Sequence, residues 1–295
     1  MPLPIRPRRS ALYMPGSNAR ALEKAKILSA DCLILDLEDA VAPDKKAEAR
    51  QQVATAVSEG GFGHREVIVR INGFDTPWGE EDLKIMAPVG ADAILVPKVS
   101  SAASVHDAAD RLAKNGASAQ TSLWVMMETP LAIFNALEIA ETATAPDCPL
   151  TCFVLGTNDL AKDTGAQLVP GRLPMVSWIQ TCLAAARVHG LTILDGVYNE
   201  LSDLEGFEAE CQQGVTFGMD GKTLIHPRQV DPCNTAFSPA PEIVSWARKI
   251  VGVFEEPENA GKGAVQVEGR MVERLHADIA KRTIAVADAI AERTS

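Results

Sequence analysis

Short apolar runs recur along the chain, and most of them stop at a charged or amide side chain. Residues 33–35 lead into Asp36, Glu38 and Asp39, and residues 67–69 into Arg70 and Asn72. Residues 94–96 lead into Lys98, 124–127 into Glu128, and 153–155 into Asn158 and Asp159. Residues 191–194 end at Asp195, and 215–217 precede Asp220 and Lys222. An earlier run, 11–14, is stopped by Pro15-Gly16-Ser17 and completes a set of eight. Unbroken apolar runs of this kind read as buried parallel strands.

Stretches with helical spacing lie between the runs. Residues 18–29 place Ala21, Leu22, Ala25 and Leu28 on one side, with Ser17 or Asn18 as N-cap. Residues 43–56 begin with Pro43, which suits a first helical turn. Residues 82–87, 102–113, 131–140, 174–189 and 203–213 fill the remaining gaps. Strand and helix alternating through eight units predict a parallel (β/α)8 TIM barrel, with an open doubly wound sheet as the alternative. A charge at the end of a buried strand is costly unless that end opens onto a site. Its recurrence on nearly every strand favours the closed ring, whose carboxyl ends form the catalytic face.

Beyond the eighth run the pattern changes. Residues 241–255 read as a helix, and 256–266, with Pro257, Gly261 and Gly263, as a mobile loop. Residues 271–293 read as an amphipathic helix bearing Met271, Leu275, Ile279, Ile284, Val286 and Ile290 on one side. The expected organisation is a barrel over 1–235 and a C-terminal helical extension over 236–295, able to act as a lid.

The apolar fraction, 46% of 295 residues, supports a sizeable core. A net charge of −11 argues against nucleic acid or an anionic membrane as a general partner. It leaves room for a small anion where basic groups gather, as at Arg6, Arg8 and Arg9, or at Lys222 and Arg228. No apolar stretch is long enough to span a membrane, and residues 1–10 are basic and Pro-rich without a signal-peptide core, so a cytoplasmic location is expected. The six cysteines match no paired zinc spacing and read as reduced thiols.

The candidate chemistry sits at the strand ends. Glu128 and Asp159, on neighbouring strands, could share a hard divalent cation, or one of them could simply pair with Arg70 or Lys98. Asp36, Glu38 and Asp39 could form an ion-pair network with Arg70, cap a helix, or act on a substrate or metal-bound water. Arg70 can present a planar fork to a carboxylate. Lys98 could be a Schiff-base nucleophile, but neighbouring carboxylates would keep its pKa high. His226, before Pro227, reads as structural. Hydrolase elbows, Walker loops and dinucleotide fingerprints are absent from the sequence.

Taken in order, Arg9-Ser10-Ala11-Leu12-Tyr13-Met14-Pro15-Gly16, Leu35-Asp36-Leu37-Glu38-Asp39-Ala40-Val41 and Val69-Arg70-Ile71-Asn72-Gly73 resemble the citrate lyase beta-subunit family, which includes malyl-CoA and citramalyl-CoA lyases. Val96-Pro97-Lys98, Met127-Glu128-Thr129-Pro130, Gly156-Thr157-Asn158-Asp159-Leu160, Asp195-Gly196-Val197-Tyr198, Gly221-Lys222 and Ile225-His226-Pro227 extend the resemblance over nearly the whole chain. The resemblance implies a Mg2+-dependent barrel, trimeric or hexameric. It implies Glu128 and Asp159 as metal carboxylates and Arg70 as the grip on the substrate carboxylate. Asp36 and Glu38 join Arg70 as catalytic candidates. Arg9, Lys98, Lys222 and His226 become candidates for binding substrate or CoA.

The implied reaction is reversible Claisen-type cleavage of a 3-hydroxyacyl-CoA, such as malyl-, beta-methylmalyl- or citramalyl-CoA, to an acyl-CoA and a 2-oxo acid. A malyl-CoA thioesterase on the same site, or a citrate lyase beta subunit acting on a carrier-bound substrate, are the alternatives. The sequence departs from the lyase pattern at one place. Glu268-Gly269-Arg270-Met271-Val272-Glu273 fits a lid motif that ends in a catalytic aspartate from an adjacent subunit, but here a glutamate, Glu273, stands at that position. Its other reading is a helix N-terminal acid.

Overall fold

The computed structural model describes residues 6–259 and 261–294. Residues 1–5 of the basic, Pro-rich start, Ala260 of the expected mobile loop, and Ser295 lie outside the described residues. The chain divides into two units, one spanning Arg8–Phe237 and the other built from Ser238 onward together with Arg6 and Pro7.

The first unit is a closed barrel of parallel strands. In chain order these are β1 (Ser10–Pro15), β2 (Cys32–Asp36), β3 (Glu66–Arg70), β4 (Ala93–Val96), β5 (Ser122–Met127), β6 (Leu150–Leu155), β7 (Thr192–Asp195) and β8 (Gly221–Leu224). β1 closes the ring on β8 in the register Ser10↔Lys222, Ala11↔Thr223, Leu12↔Leu224. The seam is tight, because a Cβ at Gly221 would strike the carbonyl groups of Arg8 and Arg9. The TIM barrel expected from the sequence is therefore the fold, and the open sheet is excluded.

Helices α1 (Ala19–Ala25), α2 (Lys46–Glu59), α3 (Gly79–Met86), α4 (Ala102–Lys114), α5 (Pro130–Phe134), α6 (Ala136–Glu141), α7 (Thr157–Thr164), α8 (Val176–Val188), α9 (Leu204–Phe217) and α10 (Val230–Phe237) accompany the strands. Side chains alternate across each strand, so the barrel has two cores. Ala11, Ile34, Ile68, Leu95, Trp124, Val154 and Leu194 fill the interior, while Leu33, Val69, Ile94, Val125, Phe153 and Ile193 pack outward with the helices. Counting by two toward the carboxyl ends, the next inward positions are Tyr13, Asp36, Arg70 and Met126, followed by Glu128.

Several boundaries differ from the sequence reading. Residues 215–217 are the last turn of α9, not the eighth strand, which is Gly221–Leu224. Val215-Thr216-Phe217 has strand-like composition, but Gly218 (φ 97°) caps the helix just beyond it in the left-handed region. Residues 131–140 form two short helices broken at Asn135. Asp159 lies in the first turn of α7, a helix not anticipated, four residues beyond the end of β6.

The second unit packs α11 (Pro241–Glu255) with α12 (Arg274–Thr294) around Ala247, Ile250, Phe254, Ala277 and Ala280. Part of the expected loop is instead an antiparallel hairpin, β9 (Ala264–Val267) with β10 (Arg270–Glu273). Its turn residues Glu268 (φ 47°) and Gly269 (φ 79°) both have positive φ, as a two-residue type I′ turn requires. Val265, Val267 and Val272 bury the inner side of this hairpin, so Met271 belongs to a strand rather than to the last helix. No described helix is long and apolar enough to cross a membrane.

Candidate active site

The carboxyl ends of β2 and β3 build the first half of the site. Asp36 and Arg70 are paired in the sheet register and both point inward. The Arg70 guanidinium donates from Nε to Asp36 Oδ1 and from Nη2 to Asp36 Oδ2, both at 2.7 Å. Its Nη1 reaches Glu38 Oε2 at 2.8 Å and Asp39 Oδ2 at 3.2 Å. The Tyr13 ring stacks on it with 4.6 Å from Cζ to the ring centroid. This cation–π contact fixes the guanidinium plane. Burial pushes the Tyr13 phenol pKa up, so the ring stays neutral against the cation.

Asp36 is fully enclosed and all its bonding capacity is used. Besides Arg70, Oδ1 accepts the Glu38 N–H at 2.9 Å and Oδ2 the Ala40 N–H at 3.0 Å. A carboxylate so occupied orients Arg70, as the ion-pair reading of Asp36 expects. Glu38 differs: burial lifts its carboxyl pKa to about 8, although Arg70 pulls the other way. It can therefore gain and lose a proton near neutral pH.

The second half comes from β4, β5 and β6. Lys98 follows β4 with a left-handed backbone (φ 54°), which turns its N–H onto Glu128 Oε1 at 2.7 Å. Its ammonium group reaches Asp159 Oδ1 at 2.9 Å. One residue thus ties together the two carboxylates singled out from the sequence. Glu128 is buried, and burial together with the Asp159 charge raises its pKa to about 7. Gly156 makes room for it, since a Cβ there would stand 2.5 Å from Glu128 Oε2.

Two mutually repelling carboxylates favour a cation between them. The set is all oxygen. This matches Mg2+, which is commonly held by one or two carboxylates with water and substrate completing its shell. Glu128 and Asp159 fit that ion.

Two residues assigned from sequence to substrate or CoA lie elsewhere. Arg9 precedes β1, at the amino ends of the strands, and its guanidinium is paired with Asp31 (Nε–Oδ2 2.8 Å). Beside it Arg8 clamps Glu66 and lies over Trp124, closing the opposite end of the barrel from Arg70 and Glu128. Lys222 points outward into the strand–helix layer, fully buried, and donates to Asp195 Oδ2 (3.1 Å), Glu210 Oε1 (2.7 Å) and Gly196 O (2.5 Å). In this structure both cations neutralise internal acids.

His226 follows β8 and caps the turn Pro227–Gln229, its Nδ1 accepting the Arg228 N–H at 3.1 Å. Glu273 is the last residue of β10; it is exposed, and its N–H donates to His276 Nδ1 at 2.9 Å. The sequence reading missed Tyr13, Gly156 and the buried Lys46, described below. For Lys46 a signal existed. The inward stripe of α2 is Lys46, Ala49, Arg50, Val53 and Ala56, in which two of five positions are charged.

Comparison with known proteins adds an independent line. The family model described as HpcH/HpaI aldolase/citrate lyase matches residues 9–227. The chain is 50% identical over 285 residues to a (3S)-malyl-CoA thioesterase of Cereibacter sphaeroides (strain KD131), covering 97% of this chain and 96% of that protein. It is 36% identical to an L-malyl-CoA/beta-methylmalyl-CoA lyase of Cereibacter sphaeroides (strain ATCC 17025), covering 92% of each. The solved structure of CitE from Mycobacterium tuberculosis, in complex with magnesium, acetoacetate and coenzyme A, superposes with a TM-score of 0.75 at 27% identity, over 96% of this chain and all of that one.

Proposed function

The chain belongs to the HpcH/HpaI aldolase/citrate lyase family, and we propose that it is a Mg2+-dependent thioesterase hydrolysing a hydroxydicarboxylic acyl-CoA such as (3S)-malyl-CoA. The observation carrying this reading is the 50% identity, over nearly the full length of both chains, to a (3S)-malyl-CoA thioesterase. The site is consistent with it. Arg70, locked in plane by Asp36 and Tyr13, holds the free carboxylate of the acyl group. Glu128 and Asp159 hold Mg2+, which when bound supplies Lewis acidity toward substrate oxygens. Glu38 is the acid–base group of the barrel, able to take a proton from water near neutral pH. Lys98 and His226, at the same ends of the strands, are proposed to meet substrate or CoA. Glu273 is assigned an acid–base role from its motif alone. A cytoplasmic homotrimer or hexamer is the proposed assembly.

The second reading is the lyase first drawn from the sequence, which releases an acyl-CoA and a 2-oxo acid and is supported by the 36% identity to a malyl-CoA lyase. One assay separates the two. Purified protein with Mg2+ and malyl-, methylmalyl- or citramalyl-CoA is followed for free thiol and 2-oxo acid separately. Free CoA with intact hydroxy acid supports the thioesterase, whereas oxo acid without free CoA overturns it in favour of the lyase. Glu273→Ala is expected to lower kcat without lowering the unfolding midpoint. Wild-type kcat would return Glu273 to a solvated acid before α12.

A further inference from the structure

The loop between β2 and α2 is held from two sides. Its N–H groups at Glu38 and Ala40 are taken by Asp36. Its carbonyl groups are taken by Lys46, whose ammonium donates to Leu37 O at 2.8 Å and Glu38 O at 2.7 Å. The third Lys46 proton goes to Asn72 Oδ1 at 2.7 Å, and the Trp78 ring lies 5.2 Å away. Asn72 is fixed in turn, its Nδ2 donating to Leu37 O at 2.8 Å and Asp82 Oδ2 at 2.5 Å. The other Asp82 oxygen accepts from Arg50 Nε at 2.6 Å. All four polar side chains are buried.

Burying a lysine with its counter-charges is costly, and the barrel does not need this cluster to close. The β2–β3 pairing runs through Asp36↔Arg70 and on to the Leu37 N–H and Arg70 O bond without it. What the cluster does hold is the backbone of Glu38, whose carboxylate lies on Arg70 Nη1. Arg70 has five N–H hydrogens. Asp36 takes one on Nε and one on Nη2, and Glu38, Asp39 and the Met126 sulfur, at 3.7 Å, share the two on Nη1. A substrate carboxylate must therefore use the remaining Nη2 hydrogen and displace the exposed, more distant Asp39.

We propose that Lys46, backed by Asn72, Asp82 and Arg50, is a positioning residue that seats Glu38 on Arg70 and so sets which guanidinium hydrogens are left for the substrate carboxylate. Its kinetic consequence rests on the thioesterase reading; its structural consequence does not. A loosened loop lets Glu38 and Asp39 wander over the fork and compete with the substrate, and it also misplaces the proposed acid–base group, so KM rises and kcat falls together.

The test uses the full-length protein. Hydrogen exchange read by mass spectrometry compares the wild type with Lys46→Met, and with Lys46→Gln, which keeps N–H donors should the first variant not fold. Faster exchange confined to residues 36–41 is expected. With Mg2+ present, Lys46→Met is expected to weaken binding of malate, followed by calorimetry, by about tenfold, and by less than about twofold when Glu38→Gln is already present; with (3S)-malyl-CoA the same substitution raises KM and lowers kcat. Unchanged exchange at 36–41, or equal losses of malate affinity in both backgrounds, overturns the proposal. A wild type without turnover on any CoA ester sinks the assigned reaction, while the exchange measurement still decides the clasp.

Discussion

Replacing Lys222 by methionine separates two accounts of this residue. In one it grips CoA; in the other it neutralises buried acids. The substitution keeps the length and removes the charge. It strips Gly196 O and Glu210 Oε1 of a donor and leaves Asp195, itself fully enclosed, with Arg172 at 2.6 Å as its remaining cation. Removing one partner of a buried pair costs about 3–5 kcal/mol, and the surviving Arg172 contact points to the lower end, about 3. With a urea slope of roughly 2–3 kcal/mol/M for a unit of this size, the midpoint falls by about 1–1.5 M. Far-UV circular dichroism during urea titration measures this, and KM for malyl-CoA measured in parallel stays at the wild-type value. A midpoint moved by less than about 0.3 M together with a KM raised about tenfold would refute the structural account and restore Lys222 to CoA.

Three further outcomes follow from the same geometry. Arg9→Ala takes the guanidinium away from the buried Asp31 carboxylate, and is expected to cost about 2 kcal/mol in urea unfolding with KM unchanged; a raised KM would put Arg9 back in contact with ligand. Gly156→Ala drives a methyl group into Glu128 and is expected to weaken Mn2+ binding, followed by electron paramagnetic resonance, by about 10–100-fold; wild-type affinity would remove Glu128 from the metal site. Burial pushes the Asp195 carboxyl pKa up, but Lys222 and Arg172 outweigh it and hold it below the ordinary value. A depressed carboxylate pKa contributes stability that is complete above the unfolded value of about 3.9 and is lost as pH falls through the folded value. Acid unfolding of Lys222→Met is accordingly expected to begin at higher pH than in the wild type, and coincident acid-unfolding curves would contradict this.

The barrel was legible because its strands are nearly pure apolar runs such as Cys32–Asp36 and Ala93–Val96, which only a doubly covered sheet accommodates. The eighth strand was hidden by its chemistry. Gly221-Lys222-Thr223-Leu224 carries a lysine that is buried only because Asp195 and Glu210 are waiting for it, a match between distant residues that no local pattern contains. The hairpin in the second unit was masked by its glycines, although Val265, Val267 and Val272 already fall on one side when read as strands. Glu128, Arg70 and Asp159 were legible as charges beyond apolar runs. The Tyr13 stack and the room beside Gly156 depend on strands far apart in sequence, and were not.

The interior phase separates residues that looked equivalent. Asp36, Arg70, Glu128, Asp195 and Lys222 all appeared as polar groups at or beyond strand ends. Ile34, Ile68, Trp124 and Leu194 fill the barrel interior, so positions an even number of residues along the same strand point inward and odd ones outward. Asp36 and Arg70 lie two residues from Ile34 and Ile68, and Glu128 lies four from Trp124; all three converge on the open end of the barrel. Asp195 lies one residue from Leu194, and Lys222 is its register partner, so both face the helices and meet Arg172 and Glu210 there. The same parity puts Ser10, next to inward Ala11, on the outer side beside Lys222. The proposed site and the stabilising network thus use the same kinds of side chain at the same kinds of position. What divides them is a single-residue shift in phase, which is why exchanging charges at Arg70 is expected to change what the protein binds, and at Lys222 whether it stays folded.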